Sequence, residues 1–167
     1  MRMISVILKK KIGLRVENGH PWIFGNEISE VDESIKPGDI VSVFNSSKKF
    51  VGKGYFNPKS QIAIRLLTRN QDDLIDAEFI RKRIENAWIY RKKIGYKENC
   101  RLVFGEADGL PALIIDKFGD HFVIQTLALG IDLWKPAIVE SIREIFKTEK
   151  IYERNDCLLY TSPSPRD

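Results

Sequence analysis

The sequence predicts an α+β protein: a small N-terminal β-barrel over residues 1–70, an incomplete α/β domain over residues 71–156, and a non-native tail at 157–167. Three observations lead there. Short strands separated by turn-forming residues run as far as Leu67. Helical spacing takes over from Ala77. The charge also changes sign: residues 1–70 hold 12 Lys/Arg against 6 Asp/Glu, a local +6, whereas residues 71–156 hold 14 against 16, a local −2. A basic part joined to a nearly neutral one suggests a polyanion-binding module attached to something else, with a merely solvated basic face as the alternative.

Ile4 to Leu8 reads as a strand, and Lys9-Lys10-Lys11 follows it. A single helical turn over Leu14 to Glu17 is stopped by Asn18-Gly19. The next segment, His20-Pro21-Trp22-Ile23-Phe24, sets two large aromatic rings close in sequence to Lys11 and Arg15. Rings interleaved with cations are what unstacked RNA bases and their phosphates require, although Trp22 and Phe24 could equally plug a barrel. After a turn at Pro37-Gly38-Asp39, strands are expected at Ile40 to Phe44, Phe50 to Phe56 and Ile62 to Leu67. Gly52 and Gly54 share a face without side chains, which permits either a barrel bend or the approach of a ligand backbone. Tyr55 projects from the other face, and Arg65 lies opposite Ile62, Ile64 and Leu66.

The polar stretch Asn70 to Asp76 marks the domain boundary. Ala77 to Ile94 reads as a helix with Ile80, Ile84, Trp88 and Ile94 near one face and Arg81, Lys82, Arg91 and Lys93 off it, as a solvated surface would place them. Gly95 ends it. Arg101 to Asp116 is the densest cluster of constrained residue types. Glu106 and Asp108, two apart, would project to one side of an extended backbone, while Gly105, Gly109 and Pro111 break any helix. Such carboxylates can form an acid/base couple or simply close a loop. A hairpin follows, from Ala112–Ile115 through Gly119-Asp120 to Phe122–Leu127. A second helix over Ile131 to Phe146 and a strand from Lys150 to Glu153 complete the pattern.

No stretch approaches the roughly 18 uninterrupted apolar residues that a membrane helix needs. The start lacks the long apolar region of a secretory signal. Cys100 and Cys157 are too few for a disulfide framework, which fits a reducing compartment. A cytoplasmic protein without membrane contact is expected. His20 and His121 stand far apart, and no cluster of His, Cys and carboxylates completes a metal site.

Three blocks carry a family resemblance: LKKKIGLRVENGHPWIFGNEI, VGKGYFNPKSQIAIRLLT and RLVFGEADGLPALIIDKFGD, in that order across residues 8–120. Together they resemble the PUA-containing, S-adenosylmethionine-dependent rRNA methyltransferases that modify C5 of cytosine in large-subunit RNA. The resemblance implies a PUA domain up to about residue 70. It also implies a central α/β domain and, beyond it, a Rossmann-like methyltransferase domain. In that family a cysteine attacks C6 of the base, and the cofactor sits on a glycine-rich loop. Cys100 matches no catalytic position of the family and no such loop follows a strand, so the Rossmann-like domain is expected to be absent. No catalytic or cofactor-binding residue is assigned, and this stretch alone is expected to be inactive. Lys11, Arg15, His20, Trp22, Tyr55 and Arg65 are the candidates for RNA contact, with large-subunit rRNA as the expected partner. The alternatives are a stand-alone RNA-binding adaptor and the PUA module of another RNA-modifying enzyme.

Cys157 to Asp167 shares no periodicity with what precedes it. These residues can be encoded by a transposase adapter used in preparing sequencing libraries, read in one frame, and are expected to be a translated adapter. A reading frame broken near Asp156 would leave the last strand without partners and favour self-association of the central domain.

Overall fold

The computed structural model describes residues 4–10 and 14–155. Lys11 and the tail at 157–167 lie outside the described residues. The chain divides into two compact units between Asp73 and Leu74.

The first unit contains β1 (Ser5–Leu8), α1 (Leu14–Glu17), β2 (Trp22–Phe24), a 3-10 turn (Gly25–Glu27), β3 (Ile28–Val31), β4 (Ile40–Phe44), β5 (Phe50–Phe56) and β6 (Ile62–Thr68). These strands form one six-stranded sheet in the order β2-β6-β5-β4-β1-β3, antiparallel except where β1 runs parallel to β4. The expected small barrel takes the form of a curled sheet: among the described strands β2 pairs with β6 and β3 with β1, and β2 and β3 do not pair with each other. The 3-10 turn between them replaces the missing ladder: Gly25 N–H reaches Gln61 O at 3.2 Å, and Lys9 N–H reaches Glu27 O at 2.9 Å. Val6, Leu8, Val16, Ile23, Val41, Val43 and Ile64 are fully buried within the curl.

Gly52 and Gly54 make that curl possible. A β-carbon on Gly54 would lie 2.1 Å from the carbonyl oxygen of Arg65, and one on Gly52 would lie 2.7 Å from that of Thr68. The bare face is therefore filled by β6 itself, at a point where the β5–β6 register shifts between Lys53 and Gly54. Of the two readings the sequence allowed, the bend is the one observed.

The second unit holds α2 (Ala77–Lys93), β7 (Asn99–Phe104), a 3-10 turn (Gly105–Asp108), β8 (Leu113–Phe118), β9 (His121–Thr126), α3 (Leu129–Asp132), α4 (Lys135–Phe146) and β10 (Ile151–Glu153). Its sheet order is β10-β9-β8-β7, with β10 parallel to β9 and the other pairs antiparallel. Asp76 caps α2 by accepting the Phe79 N–H at 2.8 Å. The expected helix over 131–146 is broken in two, since Pro136 is favoured in the first turn of α4 and disfavoured inside a longer helix. Phe122, fully buried on β9, meets Phe146 of α4 at 4.6 Å between ring centroids, and Phe146 meets Trp88 of α2 at 5.6 Å. Lys117 ends the buried face of β8 with its amine over the Trp88 and Phe122 rings, donating to Glu98 O at 3.0 Å and Gly119 O at 2.5 Å. Among the described residues, no helix is long and apolar enough to cross a membrane.

The close approach at β5 makes a measurable demand. Gly54→Ala should lower unfolding free energy in urea by about 1–3 kcal/mol, whereas Gly25→Ala, with nothing within 4 Å of its added carbon, should change it by less than about 0.5 kcal/mol. Equal effects would show that β6 yields freely to a β-carbon at position 54.

Candidate nucleic-acid interface

The candidate interface of the first unit is built around the short edge strand β2. Trp22 stands opposite Arg65 of β6 in the ladder, and the Arg65 guanidinium carbon lies 5.7 Å from the centre of the indole. Arg65 Nη1 is shielded from solvent and has no hydrogen-bond partner within the protein. A guanidinium can donate five hydrogen bonds, and one left idle in a shielded place costs about 1–3 kcal/mol. The Trp22–Arg65 pair thus combines an aromatic face with donor capacity that an acceptor could fill.

Arg15 and His20 serve this strand differently. Arg15 Nη2 donates to both carboxylate oxygens of Glu27, at 3.0 and 2.8 Å, and to Trp22 O at 3.0 Å. Arg15 Nη1 lies 2.5 Å from His20 Nδ1, which also accepts the Trp22 N–H at 3.1 Å. Both neighbours of Nδ1 can only donate, so His20 carries its proton on Nε2. Glu27, 5% exposed, completes the set by accepting the Phe24 N–H at 2.7 Å. The Arg15 guanidinium also lies 5.0 Å from the Phe24 ring centre. These contacts hold β2 in place and present the Trp22 ring, which meets His20 edge-on at 5.6 Å and 77°.

The six expected contacts therefore separate. Arg15, His20, Trp22 and Arg65 gather at β2; Tyr55 is 3% exposed, inside the fold of β5; Lys11 lies outside the described residues. Sequence reasoning missed Arg69, whose Nη2 donates to His20 O at 3.0 Å and whose pKa is lowered by burial. The available signal was parity: Arg65, Leu67 and Arg69 alternate along the end of β6 and beyond it. It also missed Glu27, because a carboxylate in the polar run Gly25 to Glu30 reads as solvated.

In the second unit, Glu106 and Asp108 do not share a side of an extended strand, because a 3-10 turn carries them. Asp108 accepts Arg91 Nη2 at 2.6 Å and the Phe104 N–H at 2.7 Å. With side chains 12% and 9% exposed, the Arg91–Asp108 pair is interior. Arg91 is thus no part of a solvated helix face. Among the described residues, no three His, Cys, Asp or Glu side chains gather as metal ligands. Burial raises the pKa of the Cys100 thiol, which opposes formation of a nucleophilic thiolate.

Residues 6–69, which hold this curled sheet, match the family model of the PUA-like domain. The chain is similar to ribosomal RNA large subunit methyltransferase I from Klebsiella pneumoniae, at 31% identity over 140 residues, covering 82% of this chain and 35% of that protein. The same-named protein of Aliivibrio fischeri is 31% identical over 156 residues, covering 92% and 39%. This chain thus spans between a third and two fifths of the length of these relatives. A candidate methyltransferase crystallised with SAH matches with a TM-score of 0.77 at 16% identity, over 98% of this chain and 44% of its own. A candidate SAM-dependent methyltransferase from Streptococcus mutans matches with a TM-score of 0.76 over the same shares, also at 16% identity. These two likenesses establish the fold.

If the Arg15–Glu27 pair fixes β2, Glu27→Gln should cost about 2 kcal/mol in urea unfolding, because it weakens a charge-assisted acceptor used by two donors. Arg15→Lys should cost a comparable amount, since an ammonium cannot reproduce the guanidinium's planar set of contacts. A loss below about 0.5 kcal/mol in both variants would reduce the pair to a surface contact.

Proposed function

We propose that this chain is the RNA-binding N-terminal portion of an S-adenosylmethionine-dependent methyltransferase that modifies cytosine C5 in large-subunit rRNA. The observation that carries the reading is the extent of the similarity: it runs through both units, over as much as 92% of the chain, whereas a shared PUA module alone would leave the adaptor and other RNA-modifying enzymes equally open. Residues 1–70 act as the PUA domain and 71–156 as the central domain. The Trp22–Arg65 pair meets the RNA, with Arg15 and His20 as its supports and the surrounding cations on phosphate. The Rossmann-like domain that would hold S-adenosylmethionine lies outside this stretch.

Two measurements test the proposal. An rRNA fragment should bind with an affinity that falls steeply with salt, and Arg65→Ala should weaken binding about ten-fold while leaving the urea midpoint in place. Unchanged affinity removes Arg65 from the interface; no RNA binding by the parent chain removes the function. Calorimetric titration with S-adenosylmethionine should show no saturable heat, and micromolar binding would place a cofactor site within these residues.

A further inference from the structure

A cleft of about 560 Å³ opens in the second unit where the end of α2 meets β7, lined by Tyr90, Arg91, Ile94, Tyr96, Arg101 and Phe104 among others. Four of these are large apolar or aromatic residues left open to solvent: Tyr90 is 53% exposed, Ile94 51%, Tyr96 48% and Phe104 54%. Guanidinium groups sit beside two of the rings, Arg91 at 5.3 Å from Tyr90 and Arg101 at 5.3 Å from Phe104. We propose that this cleft is a second RNA-binding site, which stacks one or two unpaired nucleobases on Tyr96 and Phe104. The proposal rests on the RNA-binding reading above and extends it to the second unit.

Charge identifies the occupant. The segment from Tyr90 to Arg101 carries Arg91, Lys92, Lys93, Lys97 and Arg101 against Glu98 alone, in a region whose other residues hold 9 cations against 15 anions. The positive charge of an acidic unit is thus gathered on the rim that holds the exposed rings. Rings with cations around them suit single-stranded nucleic acid, which offers stackable faces and a polyanionic backbone. An apolar protein partner would gain nothing from that charge.

The cleft is also rigid. Gly95 N–H bonds Lys92 O and Tyr96 N–H bonds Arg91 O, both within 3.1 Å, so a Schellman turn with Gly95 at φ +100° fixes Tyr96. Arg101 is tied to Asp116 by two bonds of 2.8 and 3.1 Å, which raises its pKa. Arg91 is tied to Asp108. The cations beside the rings are therefore placed in advance, while the exposed Lys92, Lys93 and Lys97 remain available for phosphate. The volume falls within the ~300–1,000 Å³ typical of small-ligand sites and accommodates a base with its sugar.

The test uses the whole chain and a fluorescent single-stranded oligouridine of about 12 nucleotides. Tyr96→Ala with Phe104→Ala should weaken binding about ten-fold or more, and Tyr96→Phe should restore its share because stacking survives loss of the hydroxyl. A urea midpoint like that of the parent chain shows that both side chains are dispensable for folding. Ultraviolet crosslinking should place uridine on the peptide containing Tyr96 or Phe104. Unchanged affinity, or crosslinks confined to residues 4–73, overturns this inference and leaves the first interface standing. A parent chain that binds no RNA overturns both. Self-association that the double variant abolishes without altering RNA affinity assigns the cleft to a second copy and likewise overturns it.

Discussion

A buried carboxylate governs the first unit. Glu27 sits 5% exposed at the seam of a sheet that does not close, and an unpaired charge there would cost several kcal/mol. Arg15 meets it with one nitrogen, Nη2, shared between the two carboxylate oxygens, and the Phe24 amide is the second donor. Satisfying that charge ties α1, β2 and the 3-10 turn together, and the same guanidinium then fixes the Trp22 carbonyl and the His20 ring. The half-buried aromatic edge is thus a consequence of pairing Glu27. Removing Arg15 to test its affinity for RNA would first disturb the strand that presents Trp22.

Asp108 plays the same part in the second unit. From sequence it could belong to an acid/base couple or simply close a loop. The structure uses it to neutralise Arg91 and to cap the Phe104 amide at the turn. In both units, a carboxylate beside a tight turn is matched to an arginine from a helix earlier in the chain. Such pairs hold loop geometry at places where no hydrophobic side chain could satisfy the exposed amides.

The elements that sequence made legible are those whose signal is local. Strands β4 to β6 and helix α2 appear within a residue or so of their expected limits, because period-2 and period-3.6 patterns and their stop residues lie within one window. β2, β3 and β7 were missed. Ile-Ser-Glu-Val buries almost nothing, and Asn99–Phe104 has consecutive buried residues at Leu102 and Val103, where a bulge breaks the alternation. The interface was legible as a set of residue types but not as roles. Whether Arg15 faces solvent or Glu27, and whether Tyr55 projects outward or into the curl, depends on long-range pairing that no local pattern encodes.

Arg15 and Arg65 also differ in how their donors are used. Arg15 has its donors committed to Glu27, Trp22 and His20, and its removal is paid in stability. Arg65 lies against the Trp22 ring and leaves Nη1 without a protein partner. A protein selected for stability alone would replace such a donor with an apolar side chain of similar volume. A donor left open beside the Trp22 ring is understandable if an acceptor arrives from outside the chain, and a phosphate or base carbonyl would meet that need. Arg15 serves the geometry of β2, whereas Arg65 keeps a shielded donor that no protein group fills.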